Sequence, residues 1–239
     1  NNMGYPKNLR LKRHETFSIR DGWLEKAINT LKEDSTCFSK NNGPRTLGLG
    51  SNMVKSLRYW LNACNIVYFD SKGTHITELG EMLYKYDRYL DDHFSWWMIH
   101  TTLVTNVEEA PVINRIFNIP FNRFEKPYLV SACKDMFEEN ALKVTSLSSL
   151  DSDVSVTLKS YYSDDFSSPE NNMSCPLAKL GLLTLSNKKE YVKQSPVFKD
   201  LNYRVVYYSI IRCLQCNKLN TDDVISFNIE DVLALEDNP

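Results

Sequence analysis

Apolar positions in the first third of the chain recur at helical spacing, and two clusters of turn residues interrupt them. Residues 1–13 are polar and basic without periodicity and read as an arm. Ile19, Trp23, Leu24, Ala27, Ile28 and Leu31 then predict a helix from Ile19 to Leu31, with Ser18 or Asp21 as its N-cap. Asn41-Asn42-Gly43-Pro44 breaks the chain. The short segment Thr46-Leu47-Gly48-Leu49-Gly50 follows, and its second glycine suits a tight interhelical turn. From Ser51 to Cys64 the pattern is amphipathic. Met53, Val54, Leu57, Trp60, Leu61, Ala63 and Cys64 fall on one half of the wheel, and Ser51, Asn52, Lys55, Arg58, Tyr59 and Asn62 fall on the other. Ile66–Phe69 and His75–Thr77 read as two short strands around the turn Asp70-Ser71-Lys72-Gly73. Thr77 is placed to cap a helix over Glu78–Tyr86.

Beyond this point the pattern stays helical. Asp91, Asp92 or Ser95 is expected to cap a helix through Trp96, Trp97, Ile99, Leu103 and Val104, followed by a shorter helix over Pro111–Phe117. Pro127 suits the first turn of a helix ending near Glu139. Asp151–Tyr162 is amphipathic, Ser163–Ser174 reads as a polar loop, and Leu182–Leu185 with Glu190–Val192 forms a small hairpin around Asn187. A long helix over Asn202–Asn217 and a short acidic one complete the chain. The fold class expected is mainly α with small β-hairpins. A winged helix–turn–helix occupies residues 14–90, a helical domain occupies residues 91–239, and a joint is possible near 145–149.

Charge sharpens this picture. Residues 1–60 hold eleven Lys/Arg against five Asp/Glu, whereas the rest of the chain holds 17 against 25. From Asn220 to Pro239 there are six acids and no base. A basic head on an acidic body fits a polyanion-binding module joined to a partner-binding one. In a winged helix–turn–helix the second helix of the pair enters the major groove while the wing touches the backbone. On that reading Arg45, Lys55, Arg58 and Lys72 meet phosphates, and Ser51, Asn52 and Tyr59 belong to the same duplex-DNA face, with Asn52 and Tyr59 reaching base edges. The same fold also serves as a protein-docking scaffold without nucleic acid.

Other chemistry is weaker. His14-Glu15 precedes the first helix, but adjacent residues rarely converge on one ion, so a structural role at the helix entry, with Thr16 or Glu15 bonding backbone, is expected. Asp87, Asp91, Asp92, His93 and His100 form the one cluster compatible with a metal-dependent nuclease. Capping by the acids and a core position for His100 account for it equally well. Cys213-Leu214-Gln215-Cys216 lacks a second ligand pair for zinc and a preceding strand for redox chemistry, so both thiols read as structural. Gly48-Leu49-Gly50 lacks the third glycine and the preceding strand of a phosphate loop. No cofactor or catalytic residue is expected. Six cysteines scattered over 239 residues fit reduced thiols rather than a disulfide scaffold. The longest apolar runs, such as Leu180-Gly181-Leu182-Leu183, fall far short of the roughly 20 residues of a membrane helix. The N-terminus carries no signal-peptide core. A cytoplasmic location with no membrane contact is the expectation.

Several stretches resemble a known bacterial family. They are His14-Glu15-Thr16-Phe17, Gly22-Trp23-Leu24-Glu25-Lys26, Gly48-Leu49-Gly50-Ser51-Asn52-Met53-Val54-Lys55 and Arg58-Tyr59-Trp60-Leu61. Leu79-Gly80, Asp87-Arg88-Tyr89-Leu90-Asp91-Asp92, Trp97, His100 and Cys175-Pro176-Leu177-Ala178-Lys179-Leu180-Gly181-Leu182 belong with them. Together they resemble the domain of unknown function numbered four thousand and seven, from about His14 to the C-terminus. The resemblance implies companionship with phosphoadenosine-phosphosulfate-reductase-like, sulfur-handling enzymes in gene clusters for DNA sulfur modification and phage defence. It implies no catalytic residue. Ser51, Arg88 and Thr101 depart from the family pattern, where a lysine, a proline and an aromatic residue are expected.

Overall fold

A computed structural model describes residues 9–39, 42–163, 175–187, 189–197 and 201–216. The polar loop expected over 163–174 and the acidic helix expected near the C-terminus lie wholly or largely outside these residues.

The N-terminal part runs α1 (Trp23–Glu33), α2 (Gly43–Leu47), α3 (Ser51–Ala63), β1 (Val67–Asp70), β2 (Gly73–Ile76) and α4 (Glu78–Tyr86). Helix α1 starts four residues later than its apolar spacing predicts. Its N-cap is Gly22 at φ +80° with no side-chain cap, so neither Ser18 nor Asp21 holds that place. The turn between α2 and α3 also differs in detail. Gly48, not Gly50, takes the left-handed conformation (φ 62°, ψ 34°), and its N–H returns to Pro44 O as the C-cap of α2. Gly50 is extended at φ −63°, ψ 153°.

Strands β1 and β2 pair antiparallel from Val67↔Ile76 to Asp70↔Gly73. Asp70 Oδ1 accepts the turn N–H groups of Lys72 (2.8 Å) and Gly73 (3.0 Å), which leaves Lys72 exposed at the tip. Thr77 caps α4 as expected, its Oγ1 accepting from Gly80 N at 3.1 Å. Gly80 is where α4 approaches the hairpin most closely. A Cβ there would collide with the Ile66 carbonyl oxygen and lie 2.6 Å from Ile76 Cγ2.

The remainder comprises α5 (His93–Val104), α6 (Pro111–Asn118), β3 (Arg123–Glu125), α7 (Lys126–Glu139), α8 (Leu147–Tyr161), a 3-10 helix (Pro176–Leu180), β4 (Leu183–Ser186), β5 (Glu190–Lys193) and α9 (Tyr203–Cys216). Asp92 is the residue that caps α5, and Ser146 caps α8. The hairpin around Asn187 is present, but it gains an unexpected strand: β3 joins it in the antiparallel order β3-β5-β4. Lys193 on β5 donates through Nζ to Ile119 O (2.7 Å) and Phe117 O (3.3 Å), satisfying carbonyls at the end of α6.

One apolar cluster runs through both parts, from Ile19 and Trp60 to Leu150, Tyr161 and Leu177. Polar contacts reinforce it. His14 is buried with its Nε2 2.8 Å from Asp153 Oδ1 on α8, and Asp153 also accepts Lys12 N at 2.9 Å. Trp60 Nε1 donates to Phe17 O at 2.9 Å. The expected structural role at the helix entry is therefore played by His14 itself: its Nδ1 accepts the Thr16 N–H at 3.1 Å, and Glu15 and Thr16 follow with positive φ.

Candidate nucleic-acid interface

The amphipathic pattern of α3 translates into a buried and an open face. Val54, Leu57, Trp60, Leu61 and Ala63 are buried, and each large apolar side chain among them contributes about 1.5–3 kcal/mol by leaving water. Ser51, Asn52, Lys55 and Arg58 are exposed along the first two turns, with no acid in the first turn. Arg45 on α2 and Lys72 at the hairpin tip are exposed as well.

The cations are not equally free. Lys55 is open, with 63% of its side chain accessible. Its Nζ lies 3.4 Å from Asn52 Oδ1 and 3.9 Å from Glu15 Oε1, a distance at which an exposed pair contributes little. Arg58 is braced. Its Nη1 donates to Phe38 O at 3.2 Å, and its guanidinium carbon lies 4.2 Å from the centroid of the Phe69 ring on β1. That bracing couples α3 to the hairpin and reduces the rotamer entropy lost on meeting a ligand.

Tyr59 is placed differently from the other six residues of the expected DNA face. Its hydroxyl donates to Glu109 O at 2.8 Å, its ring packs against His14 and Trp60, and Arg13, paired with Glu109, lies over its face. Burial pushes its pKa well up, so the hydroxyl stays protonated. Asn106 closes the same end of α3, its Nδ2 donating to Ala63 O at 3.0 Å. The last turn of α3 is thus covered by residues 106–109, and the first two are open.

The carboxylates at the start of α5 hold backbone. Asp87 Oδ1 and Oδ2 accept the N–H groups of Asp91 (3.0 Å) and Asp92 (3.1 Å), and Asp92 Oδ1 accepts that of Phe94 (2.9 Å). His100 points into the core, with Nδ1 2.9 Å from the Tyr161 hydroxyl, and burial lowers its pKa to about 3. Among the described residues no group of three or more His, Cys, Asp or Glu is placed to hold a metal ion. Glu25 on α1 is half-buried. Burial pushes it up to about 7, with further contributions from the like charges of Asp21, Asp91 and Asp87. Cys213 is buried, and Cys216 Sγ donates to Thr105 O at 3.2 Å, tying the end of α9 to the end of α5. No described helix is long and apolar enough to cross a membrane.

The family model described as "Protein of unknown function (DUF4007)" matches residues 11–238. The chain belongs to the DUF4007 family. The match contains every stretch on which the resemblance rests, from His14 to Leu182. Two crystal structures of SspB share the fold. One, described as magnesium ion-bound, is 24% identical with a TM-score of 0.83; the other is 26% identical with a TM-score of 0.82. In both, the alignment covers 97% of this chain and 73% of the SspB chain. No curated protein matches the chain.

Two departures from the expected DUF4007 pattern have local explanations. Arg88 Nε donates to Asn29 Oδ1 at 2.8 Å, joining the end of α4 to α1, a bond a proline could not make. Thr101 is buried with its Oγ1 3.1 Å from Ser209 Oγ on α9, where an aromatic ring would displace the helix.

Proposed function

We propose that this chain is a non-enzymatic DNA-binding accessory protein of a bacterial DNA-modification or phage-defence system. Residues 14–90 act as a winged helix–turn–helix, and residues 91–239 dock a sulfur-handling or DNA-modifying enzyme. The observation that carries the DNA half is the outward, acid-free flank over the first two turns of α3, between exposed Arg45 and exposed Lys72. Four exposed cations distributed over α2, α3 and the hairpin suit an extended polyanion better than a compact small-molecule site, and Asn52 is the residue suited to a base edge. The N-cap of α3 is Gly50, which offers no side chain to its first N–H groups, so the positive end of the helix dipole adds to the same field. Tyr59 is left out of this interface because its hydroxyl is engaged by Glu109. The companionship with DNA sulfur modification that the resemblance implies, together with the likeness to SspB, is what favours a DNA-directed role.

The docking half is supported by exposed Tyr203, Val206 and Tyr207 on α9, since aromatic side chains dominate the energetics of protein interfaces. A second reading, a protein–protein adaptor whose winged helix is only scaffold, is favoured by the covering of the last turn of α3.

Fluorescence anisotropy with a labelled duplex, titrated across a salt series, decides between them. Contact through Arg45, Lys55, Arg58 and Lys72 is expected to give a log–log salt slope of about −3 to −4. Absence of binding at 50 mM salt selects the adaptor.

A further inference from the structure

We infer that the cavity between the starts of α5 and α9 binds a free nucleoside monophosphate, with the base against Trp97 and the phosphate on Arg204 and His93. The inference concerns a site apart from the α3 flank and does not rest on the DNA-binding reading.

The cavity has a volume of about 330 Å³ and is lined by Asp92, His93, Phe94, Trp97, Asn202 and Arg204. Its two walls are held in place. Thr101 Oγ1 lies 3.1 Å from Ser209 Oγ and Thr102 Oγ1 lies 2.9 Å from the Tyr208 hydroxyl, which ties α5 to α9. Asn202 Oδ1 accepts the Arg204 N–H at 2.9 Å and fixes the entry into α9. On the other helix Asp92 fixes the entry into α5 by accepting the Phe94 N–H at 2.9 Å.

The side chains between these walls combine a ring, a cation and an acceptor. Trp23, Trp60 and Trp96 are core residues, whereas Trp97 is only half-buried and lines the cavity beside Phe94. An indole left at a cavity wall is a platform for a planar ring. Arg204 is exposed and forms no ion pair among the described residues. Its Nε donates to the neighbouring Tyr203 hydroxyl at 3.3 Å, a long bond, and the guanidinium fork suits a phosphate. His93, exposed on the same cavity, adds a ring nitrogen.

Asp92 decides among anions. Its carboxylate lines the same cavity and repels a bare phosphate or sulfate, yet it offers an acceptor to a base amino group or a ribose hydroxyl. Planar ring, phosphate and hydrogen-bond donors on one molecule describe a nucleotide. The volume lies near the lower end of ligand pockets, roughly 300–1,000 Å³, which suits one nucleotide rather than two.

Titration of the 239-residue chain with AMP, read by tryptophan fluorescence corrected for absorption by the ligand, tests it. Trp97 is the one tryptophan that is not buried, so AMP is expected to quench part of the emission, with a Kd of about 0.1–1 mM. Adenosine and inorganic phosphate each carry half of the recognition and are expected to bind about tenfold more weakly. Arg204→Gln is expected to weaken AMP binding about fivefold with an unchanged melting temperature, because Arg204 is exposed. Lys55→Ala, which alters only the α3 flank, is expected to leave AMP affinity within about twofold of the parent. The absence of a saturable quench up to about 10 mM AMP overturns the inference. So does equal affinity for phosphate and AMP, or an R204Q protein that binds AMP as well as the parent. Equal losses in R204Q and K55A overturn it too, by moving the nucleotide to the α3 flank.

Discussion

Helices α3 and α5 have similar lengths, and both carry polar residues through the middle, yet the structure uses those residues in opposite ways. On α3 the polar half faces solvent for two turns, and Ser51, Asn52, Lys55 and Arg58 are exposed there. On α5 nearly every position after Phe94 is buried, polar or not. Thr102 Oγ1 donates to Met98 O and lies 2.9 Å from the Tyr208 hydroxyl, Thr101 meets Ser209, and His100 meets Tyr161. These bonds satisfy groups that would otherwise be costly to bury; those to Tyr208 and Ser209 form a polar seam between α5 and α9, and that to Tyr161 joins α5 to α8. A hydroxyl or imidazole on α5 is thus a packing element. On the open turns of α3 Lys55 has only weak contacts, to Asn52 and Glu15, and Arg58 is braced against Phe38 and Phe69 while staying exposed, which leaves both available for function.

The largest effect expected from breaking this contrast is at His100. Its pKa in the fold is about 3 against an ordinary 6.5, so the folded state holds it neutral. The resulting stabilisation is fully present above pH 6.5 and is lost as the pH falls toward 3, about 3 kcal/mol between pH 6.5 and 4. His100→Leu leaves the Tyr161 hydroxyl without its partner and is expected to cost about 3 kcal/mol at pH 7. The variant should also lack the parent's acid-side slope. Urea denaturation at a series of pH values measures both quantities, and an unchanged acid limb would show that His100 is not the group held neutral.

A smaller effect tests whether the two ends of α3 really differ. Tyr59→Phe removes the bond to Glu109 O and is expected to destabilise the protein by about 1.5 kcal/mol. Duplex affinity should stay within twofold of the parent. A large loss of affinity with little loss of stability would return Tyr59 to the interface.

Glu25 gives an effect of about 1 kcal/mol with the opposite pH dependence to His100. Its pKa is raised to about 7, so its contribution is fully present below about pH 4.5 and lost as the pH rises through 7. The nominal shift is larger, but the carboxyl is half-exposed and solvent screens it. Glu25→Gln is therefore expected to raise stability by about 1 kcal/mol at pH 8 and to leave it unchanged at pH 4. Paired thermal melts at the two pH values check this, and a gain of equal size at both would remove the ionisation of half-buried Glu25 as its cause.

The contrast also explains what could be read from residues alone. Helix α3, the hairpin and α4 were legible because local chemistry sets them: an amphipathic period, a turn held by Asp70 and a cap at Thr77. The open turns of α3 were legible for the same reason. Tyr59 was not, because the segment that covers it arrives fifty positions later, and a helical wheel cannot tell a solvent-facing flank from one roofed by distant chain. His14 read only as part of a structural helix entry, with no distant partner in view, and its partner, Asp153, lies on α8. Strand β3 escaped notice because three residues are too few to alternate, and its pairing with β5 depends on chain far downstream. The tight turn was read at Gly50, but composition does not separate it from Gly48, and it is Gly48, as the C-cap of α2, that takes the positive φ.

The smallest expected effect on the fold bears most directly on function. Lys55 is exposed, with a 3.4 Å contact to Asn52 and a 3.9 Å approach to Glu15. Lys55→Ala is therefore expected to leave stability within about 0.5 kcal/mol of the parent, as surface substitutions away from special features usually do. If Lys55 meets a phosphate, the same change lowers duplex affinity by about fivefold near 0.1 M salt and reduces the log–log salt slope by about 0.9. The slope is the sharper readout, because loss of a neutral contact would lower affinity without changing it. Anisotropy titrations at four salt concentrations, with a thermal melt of the same sample, separate the outcomes. A reduced slope at constant melting temperature assigns the open turns of α3 to a polyanion, and an unchanged slope leaves them as solvated surface.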